Sequence, residues 1–171
     1  MFISGAGLPK LLQRFNNPTG IEIGLSAGHT TKHLFENVQG LTLHGIDPYP
    51  DYVDWNGHEL TPDGQDGTYE EFLKNTAPYK NSITHYKMFS DDAVRCLRTG
   101  DFDFIFIDGL HTYDQLTKDC ANYYSKLKTG GIFAGHDFTA IEGVNRAAKE
   151  FAAKMGKEIL TTECDVWYWI K

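Results

Sequence analysis

The chain has 171 residues, which is the size of a single domain. Its hydrophobic fraction of 41% and charged fraction of 23% are ordinary for a globular protein, and they exclude disorder over most of the chain. With 16 basic and 23 acidic residues, the net charge of −7 disfavours general nucleic-acid binding. No apolar run is long enough to span a membrane, and the first 15 residues do not resemble a signal peptide. We therefore expect one cytoplasmic domain over residues 1–171 that binds neither nucleic acid nor membranes.

Short apolar runs alternate with longer amphipathic stretches along the chain. The predicted strands are residues 20–24, 41–46, 83–88, 102–107, 132–134, 159–161 and 166–170. The predicted helices are residues 30–37, 68–75, 90–97, 113–127 and 142–155. Repeated β-α units predict a parallel sheet with helices on both faces, and such sheets bind ligands beyond the carboxyl ends of their strands.

Residue types at the predicted helix ends suggest where the helices begin and stop. Thr30 or Thr31 is expected to cap the first helix, and Ser90 the third. Gly156 is expected just beyond the last helix, where its freedom to adopt a positive φ suits a helix end.

One segment, residues 48–67, shows neither the alternation typical of a strand nor the three-to-four-residue spacing typical of a helix. It holds five acidic and no basic residues, and four aromatic or histidine side chains: Tyr49, Tyr52, Trp55 and His58. A loop of about 20 residues is long for a compact domain, and such loops are usually functional or mobile. Its acidic and aromatic character suits a sugar, and equally a cationic amine.

Glycines and polar residues follow the first three predicted strands. The first strand runs into residues 22–28, EIGLSAG, where two glycines let a ligand approach the backbone closely. The second strand is followed by Asp47, whose carboxylate can accept hydrogen bonds from both hydroxyls of a ribose. The third is followed by Phe89 and Ser90, which can contact the edge of a base. The alternatives are a tight turn for the glycines, a turn before Pro48 for Asp47 and a helix cap for Ser90.

The fourth and fifth predicted strands are followed by acids and histidines. Asp108 and His111 come after the fourth strand, and His136 and Asp137 after the fifth. Because neighbouring parallel strands end at the same edge, we expect these four side chains to lie close together. Two carboxylates and two imidazoles suit a divalent metal, or a general base with the partner that orients it. The alternative is a hydrogen-bonded polar edge without chemistry.

Four of these motifs together resemble a known family. They are residues 22–28, the GID run at 45–47, FIFIDGLHTY at 104–113 and GGIFAGHD at 130–137. The resemblance is to class I S-adenosylmethionine-dependent methyltransferases, and within them to the methyltransferase-24 family. That family is related to the macrocin and rhamnosyl O-methyltransferases and, more distantly, to catechol O-methyltransferase. The similarity extends over about residues 18–171.

The resemblance implies a Rossmann-like α/β fold with seven strands in the order 3-2-1-4-5-7-6 and strand 7 antiparallel. It also implies that S-adenosylmethionine is the cofactor. By that resemblance, the methionine portion of the cofactor would contact Glu22, Gly24, Ser26 and Gly28. Asp47 would bind the ribose, and Phe89 and Ser90 would flank the adenine. Asp108 would lie at the sulfonium end.

The resemblance also implies catalytic and metal-binding roles. In related metal-dependent enzymes, an acid after strand 4 and an acid after strand 5 bind magnesium, and Asp108 and Asp137 match these positions. His111 falls near the position of the general base. Phe138 replaces the amide that catechol-type enzymes use as a further ligand, so His136 is the candidate for that ligand.

The function that the resemblance implies is O-methylation of a sugar or other small hydroxyl-bearing metabolite. His111 is expected to be the base, beside Asp108 and Asp137. The acceptor site would be capped by residues 48–67 or by the second subunit of a homodimer. Two alternatives from other classes are a nicotinamide-dependent oxidoreductase and a non-catalytic cofactor-binding or structural module. The turn at residues 22–28 does not match the GxGxxG pattern typical of the oxidoreductases.

Overall fold

The structure is a computed structural model that describes residues 3–49, 52–53, 59–60 and 62–171, with side chains described for 3–49 and 68–171. Within these ranges seven strands form the main sheet. They are β1 (Thr19–Ile23), β2 (Thr42–Ile46), β5 (Ile83–Tyr86), β6 (Phe102–Ile107), β7 (Leu127–Gly135), β8 (Leu160–Thr162) and β9 (Val166–Ile170). Two short strands, β3 (Tyr52–Val53) and β4 (Glu59–Leu60), pair separately as an antiparallel hairpin.

The strand order in the main sheet is β5-β2-β1-β6-β7-β9-β8. Counted along the main sheet alone, this is the order 3-2-1-4-5-7-6 that the family resemblance implies. The first five strands are parallel, and β9 runs antiparallel to both of its neighbours. The Rossmann-like fold and the closing antiparallel pair are therefore confirmed.

Helices cover both faces of the sheet. They are α1 (Leu8–Leu12), α2 (His29–Asn37), α3 (Pro62–Thr76), α4 (Ser90–Ala93), α5 (Tyr113–Tyr123) and α6 (Glu142–Lys154). One hydrophobic cluster joins α4, α5 and α6 to one face of the sheet, with Phe133, Trp167 and Trp169 at its centre. A second cluster packs α1 and α2 on the other face, against Phe104 and Phe106. β6 is buried on both faces, as its continuous apolar run predicts. Among the described residues, no helix is long and apolar enough to cross a membrane.

Both predictions of a helix-capping side chain are wrong. Gly28 precedes α2 in a left-handed conformation, and Phe89 precedes α4. Thr31 instead donates its hydroxyl to the Glu22 carboxyl at 2.7 Å, and Ser90 donates to Asp119 at 2.7 Å. A buried carboxyl group needs a hydrogen-bond partner, and these two hydroxyls satisfy that need rather than the helix ends. Gly156, with φ of 64°, does follow α6 as predicted.

Three element boundaries also differ clearly from the prediction. The helix predicted over residues 113–127 ends at Tyr123, and β7 begins at Leu127 rather than at residue 132. The glycines at 130 and 131 continue the strand because they exchange backbone hydrogen bonds with Lys171. Helix α3 begins at Pro62, so part of the segment 48–67 is helical. Of the side chains expected to bind a ligand there, those at residues 50–67 lie outside the described residues. Tyr49 is described and is buried, with its hydroxyl donating to the Ser26 carbonyl oxygen at 2.7 Å, so it offers no ring face for a sugar.

Candidate functional site

A cavity of about 560 Å³ opens at the carboxyl ends of the parallel strands. Its size is typical of small-molecule sites, and it lies where β1 and β6 are neighbours while the chain leaves them in opposite directions. Residues that follow the five parallel strands line it, together with part of α5. They include Gly24, Ser26, Asp47, Phe89, Ser90, Asp108, Leu110, His111, Gln115, Asp119, His136 and Asp137.

Backbone hydrogen bonds continue the sheet one residue past the strand ends. The amide of Gly24 donates to Ile46 at 2.9 Å, that of Asp108 to Ile23 at 2.8 Å, and that of His136 to Ile107 at 3.1 Å. The first residue after each of these strands is therefore held by the neighbouring strand. This is why residues far apart in the chain meet at one edge with fixed backbone positions.

Gly24 is needed for a close approach between two of these strand ends. Its φ is +87°, and a Cβ atom built on it would lie 2.0 Å from the carbonyl oxygen of Asp108. Only glycine combines that conformation with that contact. The glycine predicted to admit a ligand thus also brings the first turn against Asp108.

Asp47 holds the glycine turn in shape. One of its carboxylate oxygens accepts the backbone amides of Leu25 at 2.9 Å and Ser26 at 3.0 Å, and the other accepts the amide of Tyr49 at 2.9 Å. Asp47 also lines the cavity. The turn-forming role considered for this residue is real, and its contact with a ribose stays a prediction.

Glu22 and Gly28 do not line the cavity, although both were predicted to contact a cofactor. Glu22 is 0% exposed and its carboxyl accepts the Thr31 hydroxyl. Burial raises the pKa of Glu22 to about 8, and the Asp108 and Asp47 charges add to that effect while the Thr31 hydrogen bond opposes it. Gly28 provides close packing, since a Cβ there would lie 2.9 Å from the Phe72 ring.

We expect Glu22→Gln to remove a loss of stability that the wild type undergoes as pH rises from 4.5 to 8. The folded-state pKa of about 8 exceeds the value of 4.5 of a glutamate in the unfolded chain, so the folded protein binds the extra proton between these values. The free energy of unfolding of the wild type should therefore fall as pH rises from 4.5 to 8, by on the order of 3–5 kcal/mol. Glutamine stays neutral and can still accept from Thr31. Urea unfolding at several pH values checks this, with the exposed Glu36→Gln as control; equal slopes in wild type and Glu22→Gln would contradict it.

Two exposed apolar side chains and a buried acid also line the cavity. Phe89 is 57% exposed and Leu110 is 38% exposed, so both present apolar surface. Asp119 is buried and accepts hydrogen bonds from Ser90 at 2.7 Å and from Gln115 at 3.2 Å. Burial raises the pKa of Asp119 to about 6.

Sequence reasoning missed Gln115 and Asp119 because they lie on α5 rather than directly after a strand. A signal was available for Asp119. It falls within the buried stripe of α5, beside Leu116, Cys120 and Tyr123 at helical spacing. A carboxylate within an apolar stripe is rarely buried without a partner or a function.

The predicted cluster of two acids and two histidines also lines the cavity. His111 Nε2 lies 3.2 Å from Asp108 Oδ1 and 2.9 Å from Asp137 Oδ2. His136 Nδ1 lies 3.5 Å and 3.1 Å from the same two oxygens. The structure therefore brings together all four side chains, as the strand order requires.

The cluster combines two positive and two negative groups, so its net charge is zero. Burial alone would lower the pKa values of both histidines, yet hydrogen bonds to Asp108 and Asp137 raise that of His111 to about 9 and that of His136 to about 10. The two imidazoles in turn hold the pKa values of both carboxyl groups below their usual range, against the opposing effect of burial. At neutral pH two imidazolium ions thus face two carboxylates.

Three of these side chains form a set that fits a metal ion. Single ligand atoms of Asp108, His111 and Asp137 all lie within 4.8 Å of one another. Carboxylate and imidazole ligands suit a divalent transition metal such as Mn²⁺ better than Mg²⁺, which prefers oxygen ligands only. The histidine in this set is His111, whereas His136 was the predicted ligand; His136 contacts the same carboxylates, and its role at a metal stays a prediction.

Sequence comparison finds one family and one distant relative. A family model described as a methyltransferase domain matches residues 21–138. The uncharacterized protein R132 of Acanthamoeba polyphaga mimivirus is 30% identical over 128 residues, which is 70% of this chain and 51% of the relative. The chain therefore spans about half the length of the curated relative that it matches.

Solved structures share the fold at low sequence identity. The O-methyltransferase NovP is 19% identical, with 90% of this chain and 72% of NovP aligned at a TM-score of 0.63. The precorrin-6y C5,15-methyltransferase of Geobacter metallireducens is 14% identical, with 95% and 85% aligned at 0.68. The spermidine synthase of Thermotoga maritima is 14% identical, with 95% and 56% aligned at 0.61. Because the names cover different reactions, these likenesses establish the fold alone.

Proposed function

The chain belongs to the methyltransferase-24 family of methyltransferase domains, and on that premise we propose that it is a transferase that methylates a hydroxyl group of a small molecule. The observation that carries the proposal is the position of His111, hydrogen-bonded between Asp108 and Asp137 in the wall of the cavity. An imidazole held by carboxylates at a ligand site is an arrangement for moving a proton, which is what an acceptor hydroxyl requires.

S-adenosylmethionine is the cofactor of this family, and the cavity fits it. The volume of about 560 Å³ is adequate, and Phe89 and Leu110 offer apolar surface for a planar base. Asp47, at the end of β2, would accept the ribose hydroxyls. Gly24 and Ser26 would lie along the methionine portion, and Asp108 near the sulfonium.

The mechanism assigns one proton transfer to this chain. When bound, the cofactor supplies a methyl group that its sulfonium charge has already activated. Nε2 of His111 faces Asp108 and Asp137 and holds the proton that is donated to them, so the proton of the acceptor hydroxyl would pass to Nδ1, and the two carboxylates stabilise the resulting imidazolium.

His111 must first lose the proton that its raised pKa retains. A rise in pH removes it directly. A divalent cation held by Asp108, His111 and Asp137 would also displace it, because a metal binds only the neutral imidazole, and His111 would then be a ligand of the ion instead of the base. Such an ion would also supply Lewis acidity toward the acceptor oxygen. We include a divalent cation in the proposal on the chemistry of this ligand set.

The acceptor that we propose is a sugar or another small hydroxyl-bearing metabolite. The net charge of −7 disfavours a nucleic-acid acceptor. The acidic and aromatic residues of the segment 48–67 support a sugar, which stacks on aromatic rings and donates hydrogen bonds to carboxylates. A homodimer is the second way to cap the acceptor side, and the mass of the protein in solution distinguishes the two.

Calorimetric titration with S-adenosylhomocysteine tests the proposed function. Micromolar binding is expected, and a nicotinamide dinucleotide titrated in parallel should release no heat. Repeating the titration with Mg²⁺, with Mn²⁺ and with a chelator shows whether Asp108, His111 and Asp137 hold a cation. Absence of S-adenosylhomocysteine binding under every condition would contradict the proposal and leave a structural module as the better explanation.

We expect Phe89→Ala to weaken S-adenosylhomocysteine binding without lowering the melting temperature. The ring is 57% exposed in the cavity, so its removal costs the fold little. Loss of an aromatic surface that stacks on a base costs about 1–3 kcal/mol, or about 5–150-fold in affinity. Leu73→Ala is the matched control, since Leu73 is 47% exposed on α3 and does not line the cavity. Equal affinities of the two variants would place the base elsewhere.

A further inference from the structure

The hairpin turn between β8 and β9 binds the segment that follows Asp137. The Asp165 carboxylate accepts the backbone amide of Thr139 at 2.9 Å, the Thr139 hydroxyl at 2.8 Å and the backbone amide of Ala140 at 3.1 Å. The carbonyl oxygen of Asp165 also accepts the amide of Phe138 at 3.4 Å. Among the described residues, this carboxylate forms hydrogen bonds with Thr139 and Ala140 only.

Asp137 needs such support because its backbone is strained. Its φ is +58°, in the left-handed region that residues other than glycine rarely adopt. A conformation of this kind persists only where the surrounding structure holds it. The hydrogen bonds that Asp165 accepts begin at the very next residue, Phe138, so they fix the chain on the carboxyl side of the strained position.

The same hairpin holds the chain on the other side of Asp137. The Trp167 indole donates to the carbonyl oxygen of His136 at 3.1 Å. Its ring also fills the space beside Gly135, where an added Cβ atom would lie 2.3 Å from a ring carbon. One hairpin thus holds the residues on both sides of Asp137, His136 through Trp167 and Phe138 through Asp165.

We propose that Asp165 is a positioning residue, which fixes the strained backbone of Asp137 and so aims its carboxylate at His111 and His136. Asp165 is not among the residues that line the cavity, so it acts through Asp137 rather than on a ligand. The inference deepens the proposed function and rests on it, because it assigns Asp165 to the cluster that would move the acceptor proton.

The test compares Asp165→Asn with Asp103→Asn. Asp165 has φ of 60°, which asparagine tolerates. The side-chain nitrogen of asparagine replaces a carboxylate oxygen and cannot accept a hydrogen bond from Thr139 or Ala140. Asp103 is the matched control: its carboxylate accepts the Thr19 amide at 2.9 Å and Lys128 at 2.8 Å, at the start of β6 and away from the cavity. The readout is the set of ring ¹⁵N resonances of His111 and His136 at one fixed pH.

Asp165→Asn should shift both histidines' ring resonances in the direction seen in Asp137→Asn, and Asp103→Asn should leave them as in the wild type. Melting temperatures of both variants show that they are folded. Wild-type resonances in Asp165→Asn would overturn the proposal, as would an equal shift in Asp103→Asn, which would indicate a general loss of stability. The resonances require no methyl transfer, so a wild type that fails to bind S-adenosylhomocysteine refutes the proposed function separately.

Discussion

Replacement of His111 by alanine is expected to lower methyl transfer by about 10²–10⁴-fold, the usual contribution of a general base. Affinity for S-adenosylhomocysteine should stay unchanged, because His111 is not among the residues proposed to contact the cofactor. Initial rates with an acceptor found by screening sugars and phenols, together with calorimetry, measure both quantities. His33→Ala is the control, since His33 lies on α2 and contacts Asn37 rather than the cavity.

The pH dependence of the wild-type rate provides a second reading of the same group. His111 acts as a base only when neutral, and its pKa is raised to about 9. The rate measured with a chelator present should therefore increase as pH rises toward 9, and His111→Ala should lack this increase. An unchanged turnover in His111→Ala, or a loss of cofactor binding in it, would refute the assignment.

The raised pKa also predicts how His111 affects stability. Because the folded-state pKa of about 9 exceeds the value of 6.5 of a histidine in the unfolded chain, the ion pairs with Asp108 and Asp137 stabilise the fold fully below pH 6.5. That contribution declines as pH rises and is lost above about 9. His111→Ala should thus be less stable than the wild type at acidic pH, and the difference should narrow in alkaline solution.

Gly24→Ala is expected to destabilise the fold by about 2–5 kcal/mol. Alanine is strained at φ of +87°, and its Cβ would also lie 2.0 Å from the Asp108 carbonyl oxygen, so the two strand ends must separate. Asp108 would then move away from His111, and we expect S-adenosylhomocysteine binding to be lost as well. Urea unfolding and calorimetry measure the two effects.

Gly100→Ala separates backbone strain from the steric clash. Gly100 has φ of +71°, and a Cβ there would meet nothing within 4 Å. This control should lose only about 1–2 kcal/mol, the cost of a left-handed conformation, and keep full affinity for the ligand. If Gly24→Ala proved no less stable than Gly100→Ala, the close contact between the two strand ends would be refuted.

Alternation of apolar runs was sufficient to predict the sheet and the edge at which the site lies. A strand such as β6, apolar throughout, must be buried on both faces, and parallel strands must end on the same side. It follows that Asp108 and Asp137, each just beyond a strand, lie at one edge. The meeting of these acids with His111 and His136 could be predicted on that basis.

Helix ends could not be predicted in the same way. Thr31 and Ser90 have the side chains of good caps, but each donates its hydroxyl to a buried carboxyl group from a distant part of the chain. The sequence pattern predicts that α5 extends to residue 127, but the helix ends at Tyr123 and β7 begins at Leu127. That strand is held by backbone hydrogen bonds with Lys171, which is remote in sequence. Local residue type does not reveal partners that only folding brings near.

The amino-acid sequence alone determines the architecture of this protein, because the order of apolar runs leaves few ways to bury them, and it determines which polar residues reach the ligand edge. Tertiary structure decides what those residues contact. Three features depend on distances between segments that are remote in sequence. They are the burial that raises the pKa of Glu22, the hydrogen bonds that raise the pKa of His111, and the hydrogen bonds between Asp165 and the chain beyond Asp137. Charge and hydrogen bonding act over a few ångströms, and only the folded chain sets separations on that scale.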